Sequence, residues 1–187
     1  MAETTTELFE KAVRLHSRRL FAIARAIVGS HAAAEDVLQQ AIANLFEHRD
    51  RYNWQQPAGL LRRTVVNEAL RLLRQPRTSL VADDHPAGHD ESPVGGIIER
   101  EEVQHVRRAI AQLPEHFRAA LVLCEYEGLS YVEIAEILDA SVPQVKTWLH
   151  RGRRQLGERL KTFMDSKPKG ERTPGTRATT SERGHEA

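Results

Sequence analysis

The chain has 187 residues, a length that allows one domain or two small ones. Its hydrophobic share of 40% and net charge of +1 exclude both a histone-like polycation and an acidic disordered protein. A single cysteine excludes an internal disulfide framework and a CxxC zinc site. The polar first residues and the lack of an apolar run of about 18 residues predict neither a signal peptide nor a transmembrane helix, and therefore a cytoplasmic protein.

Three helices are predicted in the first part of the chain, because apolar residues recur there at spacings of three and four. A capping box, Thr4-x-x-Glu7, starts the first helix, Ser30 caps the second, and Pro57 opens the third. The residues just before Pro57 are polar and form a predicted loop. The predicted helices cover residues 4–28, 31 to about 48, and 57 to about 74.

Residues 76–96 are a predicted flexible linker between two lobes, because they are rich in proline and glycine and contain few apolar side chains. Acidic residues dominate from Asp83 to Glu102, whereas the segments from Arg49 to Arg77 and from Lys146 to Lys161 are basic. Two basic segments joined by an acidic one indicate two contacts with a polyanion. Solvent-exposed helix faces are the alternative explanation for either segment alone.

The second lobe is predicted to contain four helices and no strand. Pro114 opens the second of these helices, and two capping boxes, Ser130-x-x-Glu133 and Ser141-x-x-Gln144, start the third and fourth. The predicted helices cover residues 97–113, 114 to about 128, 131–138 and 142 to about 164. Residues 165–187 lack apolar periodicity and are predicted to be disordered. The fold class is therefore all-α, with small helical domains at residues 1–75 and 97–164.

The last two helices form a predicted helix-turn-helix, because a short turn joins them and the second is strongly basic. Apolar residues from Val145 to Phe163 step by threes and fours along one face of the last helix. Long polar donors on the opposite face suit base edges in the major groove and the phosphates beside it. These donors are Gln144, Thr147, His150, Arg151 and Arg154. A helix hairpin with a solvent-exposed outer face is the alternative.

The third helix of the first lobe carries a second polar stripe opposite its apolar face. All its members are cationic or amide side chains, whereas a solvent-exposed stripe usually mixes charges of both signs. Amides read base edges, guanidinium groups hold phosphates, and aromatic rings beside arginines stack on unpaired bases. The stripe consists of Arg63, Asn67, Arg71 and Arg74, and the loop before it contributes Arg49, Arg51, Tyr52, Asn53 and Trp54. For Trp54, a place in the core is the alternative to base stacking.

Together these segments resemble the sigma factors of bacterial RNA polymerase, in the small two-domain extracytoplasmic-function (ECF) group of the sigma-70 family. The resemblance covers about residues 5–164. Residues 34–39 resemble the segment that binds polymerase, and residues 62–74 resemble the helix for the −10 promoter element. The entry to the −35-binding domain is matched by residues 113–118 and 126–138, and its recognition helix by residues 145–153.

The resemblance implies a subunit that binds core RNA polymerase and directs transcription from promoters with −35 and −10 elements. It implies core polymerase binding by Glu35, Asp36 and Gln39, for which carboxylates that merely favour a helix N-terminus are the alternative. It places Arg63, Asn67 and Arg74 on the opened −10 strand, with a flipped base in the loop of residues 49–56. It places Lys146, Thr147, Arg151 and Arg154 at the −35 major groove. The implied partners are core polymerase, promoter DNA and an anti-sigma factor, with no cofactor and no enzymatic activity.

Several positions depart from the family pattern, and they leave two alternative functions open. Leu60 stands where a tryptophan is usual, Val66 replaces an arginine, Arg71 replaces an aspartate, and Trp148 replaces a basic residue. One alternative is a sigma-like adaptor that binds polymerase without directing initiation. The other is a stand-alone helix-turn-helix regulator, which predicts a dimer and a palindromic site.

The remaining candidates for chemistry have simple explanations. His85 and His89 lie near aspartates, and together they offer ligands for a zinc or hard-metal site, but a polar linker also accounts for them. Cys124 lies among apolar residues and is expected in the core. No nucleophile–base pair, phosphate loop or HExxH motif supports catalysis.

Overall fold

A computed structural model describes residues 4–75 and 97–166, in which all regular secondary structure is helical, as predicted. The first lobe consists of α1 (Thr5–Val28), α2 (His31–Glu47), a single 3-10 turn (Arg49–Arg51) and α3 (Pro57–Arg74). The second lobe consists of α4 (Ile97–Ala111), α5 (Glu115–Glu125), α6 (Tyr131–Leu138) and α7 (Val142–Ser166). The predicted linker, with His85 and His89, and residues 167–187 of the predicted tail lie outside the described residues.

Reciprocal capping boxes start three of the helices, as their sequences predict. The Glu7 backbone N–H donates to Thr4 Oγ1 over 3.3 Å, and the Thr4 N–H donates to the Glu7 carboxylate over 2.7 Å. Ser130 and Glu133 form the same pair of bonds, over 3.3 and 2.9 Å, at α6. Because hydrogen bonds from Ser130 favour the charged carboxylate, the pKa of Glu133 lies below its ordinary value.

Helix α5 ends earlier than its sequence predicts. It was expected to continue to about Gly128, but its last residue is Glu125. Gly128 takes a left-handed conformation with φ +65°, and its N–H donates to the Cys124 carbonyl over 3.1 Å. The Leu129 N–H closes the turn on the Leu123 carbonyl over 3.2 Å, so the last carbonyls of α5 are satisfied by backbone that has left the helix.

The first lobe is a three-helix bundle in which α1 packs against both α2 and α3. Its centre is formed by fully buried aliphatic side chains, with an aromatic pair at one end. Trp54 is 5% exposed and meets Phe9 edge to face, with 5.0 Å between the ring centroids. The aliphatic residues at the centre are Ile23, Ile27, Val37, Leu61 and Val65.

In the second lobe, α7 packs closely against α5, and a glycine permits the close approach. A Cβ atom at Gly152 would lie 2.9 Å from Leu121 Cδ1 and 3.4 Å from Phe117 Cβ. Leu123, Ile134 and Leu149, from α5, α6 and α7, are at most 1% exposed and form the centre of this lobe.

The two lobes pack against each other through α1 and α3 on one side and α4, α5 and α6 on the other. Their buried apolar side chains form one continuous cluster. Arg118 of α5 crosses this interface: its guanidinium donates to the carbonyls of Ile27 over 2.5 Å and Leu113 over 3.0 Å, and to that of Ala111. Ile27 and Ala111 lie in the last turns of α1 and α4, where carbonyls lack partners within the helix. One buried cation therefore joins the two lobes.

Candidate nucleic-acid interface

The polar stripe of α3 lies on the side opposite its buried residues, and its members differ in how they are held. Arg63 and Asn67 are exposed. The Arg71 guanidinium donates to both carboxylate oxygens of Glu68, over 2.9 and 2.5 Å, and this pairing raises the pKa of Arg71. Arg74 Nε lies 2.7 Å from a carboxylate oxygen of Glu115 in the second lobe. The stripe thus presents Arg63 and Asn67 directly, whereas Arg71 and Arg74 are paired with carboxylates.

In the loop before α3, Trp54 takes the place in the core that the sequence left open as the alternative to base stacking. The indole is packed into the core, and its Nε1–H donates to the Arg49 carbonyl over 2.8 Å. A ring held in this way has no free face for a base. Tyr52, two residues earlier, is 39% exposed and is the aromatic side chain that this loop presents to solvent.

The other polar residues of the loop divide into structural and exposed groups. Arg49 is half-buried, donates to Thr6 Oγ1 over 3.2 Å, and lies with its guanidinium 4.2 Å from the centre of the Phe46 ring. It therefore ties the loop to α1 and α2. Arg51 and Asn53 are exposed, and Asn53 Oδ1 accepts the Gln55 N–H over 2.9 Å.

The predicted polymerase-binding residues share the exposed side of α2. Glu35, Asp36 and Gln39 are all exposed, because Val37 and Ala41 turn the opposite side of the helix into the core. Glu35 lies 3.4 Å from His31 Nε2, one turn earlier. The structure thus leaves this carboxylate-rich face open to a partner.

Helix α7 exposes a basic face, while Val145 and Leu149 bury the other side. Two polar residues of its first turns are engaged locally. Gln144 Oε1 accepts the Ser141 N–H over 2.7 Å as part of the capping box, and Thr147 Oγ1 donates to the Pro143 carbonyl over 2.9 Å. The exposed residues that were predicted to contact DNA are Gln144, Lys146, Thr147, His150, Arg151 and Arg154.

Three of the four departures from the family pattern are accounted for by packing, and the fourth, Arg71, is paired with Glu68. Val66 is 0% exposed and Leu60 packs against the core of the first lobe, so both are apolar where the helix faces the interior. The Trp148 ring stacks on His116, with centroids 4.9 Å apart and planes at 17°. Trp148 therefore covers the start of α5 and lies beside the basic face rather than within it.

Sequence reasoning missed a three-residue cluster at the interface between the lobes. Arg19 of α1 and Arg62 of α3 both bind Glu127, which lies in the turn between α5 and α6. A small cavity of about 60 Å³ adjoins the cluster. These residues are 65 or more positions from their partners in sequence, and no local pattern links them.

Two family models match the chain. Residues 12–78 match sigma-70 region 2, and residues 104–156 match sigma-70 region 4. The ECF RNA polymerase sigma factor SigM of Mycobacterium tuberculosis is 30% identical over 158 residues, which cover 81% of this chain and 76% of that protein. The chain belongs to the ECF sigma factors. The predicted family and the two-domain all-α fold are thus confirmed.

A second relative agrees with this assignment, and a solved structure shares the fold. The ECF sigma factor SigE of Mycolicibacterium smegmatis is 32% identical over 159 residues, and the chain spans 61% of its length. Among solved structures, the sigma factor RpoE of Bartonella quintana, crystallised with the anti-sigma factor NepR, superposes with a TM-score of 0.64 at 23% identity, over 82% of this chain and 96% of that one. No helix within the described ranges of this sigma factor has the length and apolar character needed to cross a bilayer.

Proposed function

We propose that this sigma factor binds core RNA polymerase and directs it to promoters, reading the −35 element with α7 and opening the −10 element with α3. The observation that carries the proposal is that α3 and α7 each bury an apolar face and expose a face of amide and cationic side chains. The chain contributes specificity and strand opening, while polymerase performs the RNA synthesis, so the chain itself is not an enzyme.

At the −10 element, Arg63 and Asn67 are the proposed direct contacts, since they are exposed and adjacent on α3. The Asn67 amide suits a base edge, and the Arg63 guanidinium suits a phosphate. The exposed ring of Tyr52, rather than that of Trp54, is available to stack on an unpaired base, with Arg51 and Asn53 beside it.

At the −35 element, the first turns of α7 are the proposed contact with the major groove. Lys146, His150 and Arg151 are exposed there, and Arg154 follows one turn later. Donors near the start of a recognition helix reach base edges, and those farther along reach the phosphates on either side.

The exposed face of α2 supports the proposed contact with core polymerase, through Asp36 and Gln39 together with Glu35. Since the relative RpoE was solved with an anti-sigma factor, we propose that a protein of that class also binds this chain in the cell. The site of action is accordingly the cytoplasm, where polymerase and promoter DNA are found.

Asn67→Ala tests the −10 contact, with Gln104→Ala on the exposed side of α4 as a control that also removes an amide. With purified core polymerase and a promoter fragment, Asn67→Ala is expected to reduce open complexes by about five- to 160-fold, as loss of one base contact costs about 1–3 kcal/mol. Binding to core polymerase should stay unchanged. Permanganate reactivity of unpaired thymines measures opening, and an Asn67→Ala protein that opens the promoter as well as Gln104→Ala would contradict the assignment.

A further inference from the structure

Glu127 of the second lobe is buried between two arginines of the first. Its side chain is 3% exposed; Oε1 lies 2.6 Å from Arg19 Nε, and Oε2 lies 3.0 Å from Arg62 Nε. Each carboxylate oxygen thus accepts one charge-assisted hydrogen bond from a different helix.

The two guanidinium groups form a site that favours an anion. Without Glu127, two positive charges would face the same small space and repel each other. The site fits an anion that presents two oxygens from one atom. A phosphodiester group does this with its two non-bridging oxygens, and the Glu127 carboxylate occupies the position that such a group would take. The adjoining cavity of about 60 Å³, lined in part by His16 and Ala58, leaves space beside the carboxylate.

The position of the site relates it to the DNA-facing helix. Arg62 precedes Arg63 on α3, but its side chain points about 100° away around the helix and meets the second lobe. Arg74, near the other end of α3, is paired with Glu115 of the same lobe. Carboxylates of the second lobe therefore occupy guanidinium groups at two points of α3, which are separated by about 18 Å along the helix axis. Packing of the lobes therefore neutralises two cations of α3, Arg62 and Arg74, that would otherwise attract a DNA backbone lying along this helix.

We propose that Arg19 and Arg62 form a phosphate-binding site for the backbone of promoter DNA, which Glu127 occupies while the two lobes are packed together. The inference rests on the proposed function, since that function places DNA along α3. It adds a contact from α1, Arg19, and makes the second lobe a competitor of DNA until the lobes separate.

The test measures binding of a fluorescein-labelled single-stranded DNA to the full chain by anisotropy at several salt concentrations. Glu127→Gln is compared with Glu136→Gln, which removes the same charge from the exposed side of α6 and forms no ion pair within the described part of the chain. Glu127→Gln is expected to tighten binding about three- to tenfold, because two partly exposed ion pairs that hold the lobes together are weakened. Glu136→Gln should change binding by less than about twofold, since it removes only long-range repulsion.

Arg19→Gln in the Glu127→Gln background identifies the site itself. It is expected to reverse most of the gain and to lower the slope of log affinity against log salt by about 0.7, the value for one lost phosphate contact on a single strand. In the wild-type background the same change should weaken binding much less, because Glu127 already occupies the site. If Glu127→Gln does not fold, as judged by circular dichroism, Glu127→Asp, which keeps the charge but shortens the side chain, is expected to tighten binding in the same direction.

Equal affinity of Glu127→Gln and Glu136→Gln would overturn the proposal, and so would an Arg19→Gln change without effect in the Glu127→Gln background. The proposed function fails separately, if the wild-type protein directs no transcription with core polymerase. A chain that supports transcription but shows no Glu127 effect keeps its function and loses this phosphate site.

Discussion

Arg118→Met is expected to lower the free energy of unfolding by about 3–5 kcal/mol, because it leaves three backbone carbonyls without their charge-assisted hydrogen bonds. The guanidinium donates to carbonyls of Ile27, Ala111 and Leu113, which belong to the ends of α1 and α4 and to the segment before α5. Each charge-assisted bond contributes about 1.5–3 kcal/mol, and the three contributions overlap because one group makes them all. Methionine keeps most of the aliphatic chain, so the loss reports on the cation and its bonds.

Urea unfolding followed by far-ultraviolet circular dichroism measures this loss. With a denaturant dependence of about 2 kcal/mol per molar urea, the midpoint should fall by about 1.5–2.5 M. Arg151→Met is the matched control, since Arg151 is exposed on α7 and its replacement is expected to change stability by less than about 0.5 kcal/mol. A loss below about 1 kcal/mol for Arg118→Met, or an equal loss for the control, would refute the role of Arg118 in joining the lobes.

Three further comparisons of variants test the packing and the capping. Trp54→Ala should cost about 3–5 kcal/mol of stability as a core truncation, whereas Tyr52→Ala should leave the urea midpoint nearly unchanged and reduce promoter opening. A larger stability loss for Tyr52→Ala would contradict the core place of Trp54 and the exposed place of Tyr52. Gly152→Val should destabilise the fold by about 1–3 kcal/mol in the same urea assay, because the new side chain meets α5. Gly157→Ala, where a Cβ meets nothing within 4 Å, should stabilise the fold by up to about 1 kcal/mol. Equal effects of the two changes would show that helix propensity, and not the contact with α5, determines the stability at both positions. The pKa of Glu133 is lowered in the folded state, so its charge stabilises the fold at pH values above the ordinary carboxylate pKa, and this contribution is lost as the pH falls through the folded pKa. The melting temperatures of the wild type and Glu133→Gln should therefore converge in acid, and a difference that is independent of pH would contradict this.

The parts of the fold that follow from neighbouring residues were predictable from the sequence. The capping boxes at Thr4 and Ser130 form as expected, because a side chain and a backbone group three residues apart decide them. The exposed faces of α3 and α7 were predictable for a related reason, since the helical period alone places Asn67 or Arg151 opposite the buried apolar residues.

The contacts between the lobes were not predictable, because they depend on residues far apart in the chain. Glu127 meets Arg19 over a separation of 108 residues, and Arg118 meets Ile27 over 91. No periodicity or spacing encodes such pairs. The place of Trp54 was open for a different reason: its neighbours in sequence are polar, as in an exposed loop, and the ring is buried by packing on distant residues such as Phe9.

Run-off transcription decides whether this chain directs initiation, using purified core polymerase and a library of promoter fragments, with and without the protein. The proposed function predicts transcripts that require both core polymerase and this chain and that share −35 and −10 motifs. Tight binding to core polymerase without transcripts would identify an adaptor and contradict the proposed function. A protein that does not bind core polymerase but binds duplex DNA as a dimer would contradict it as well, and would identify a stand-alone regulator.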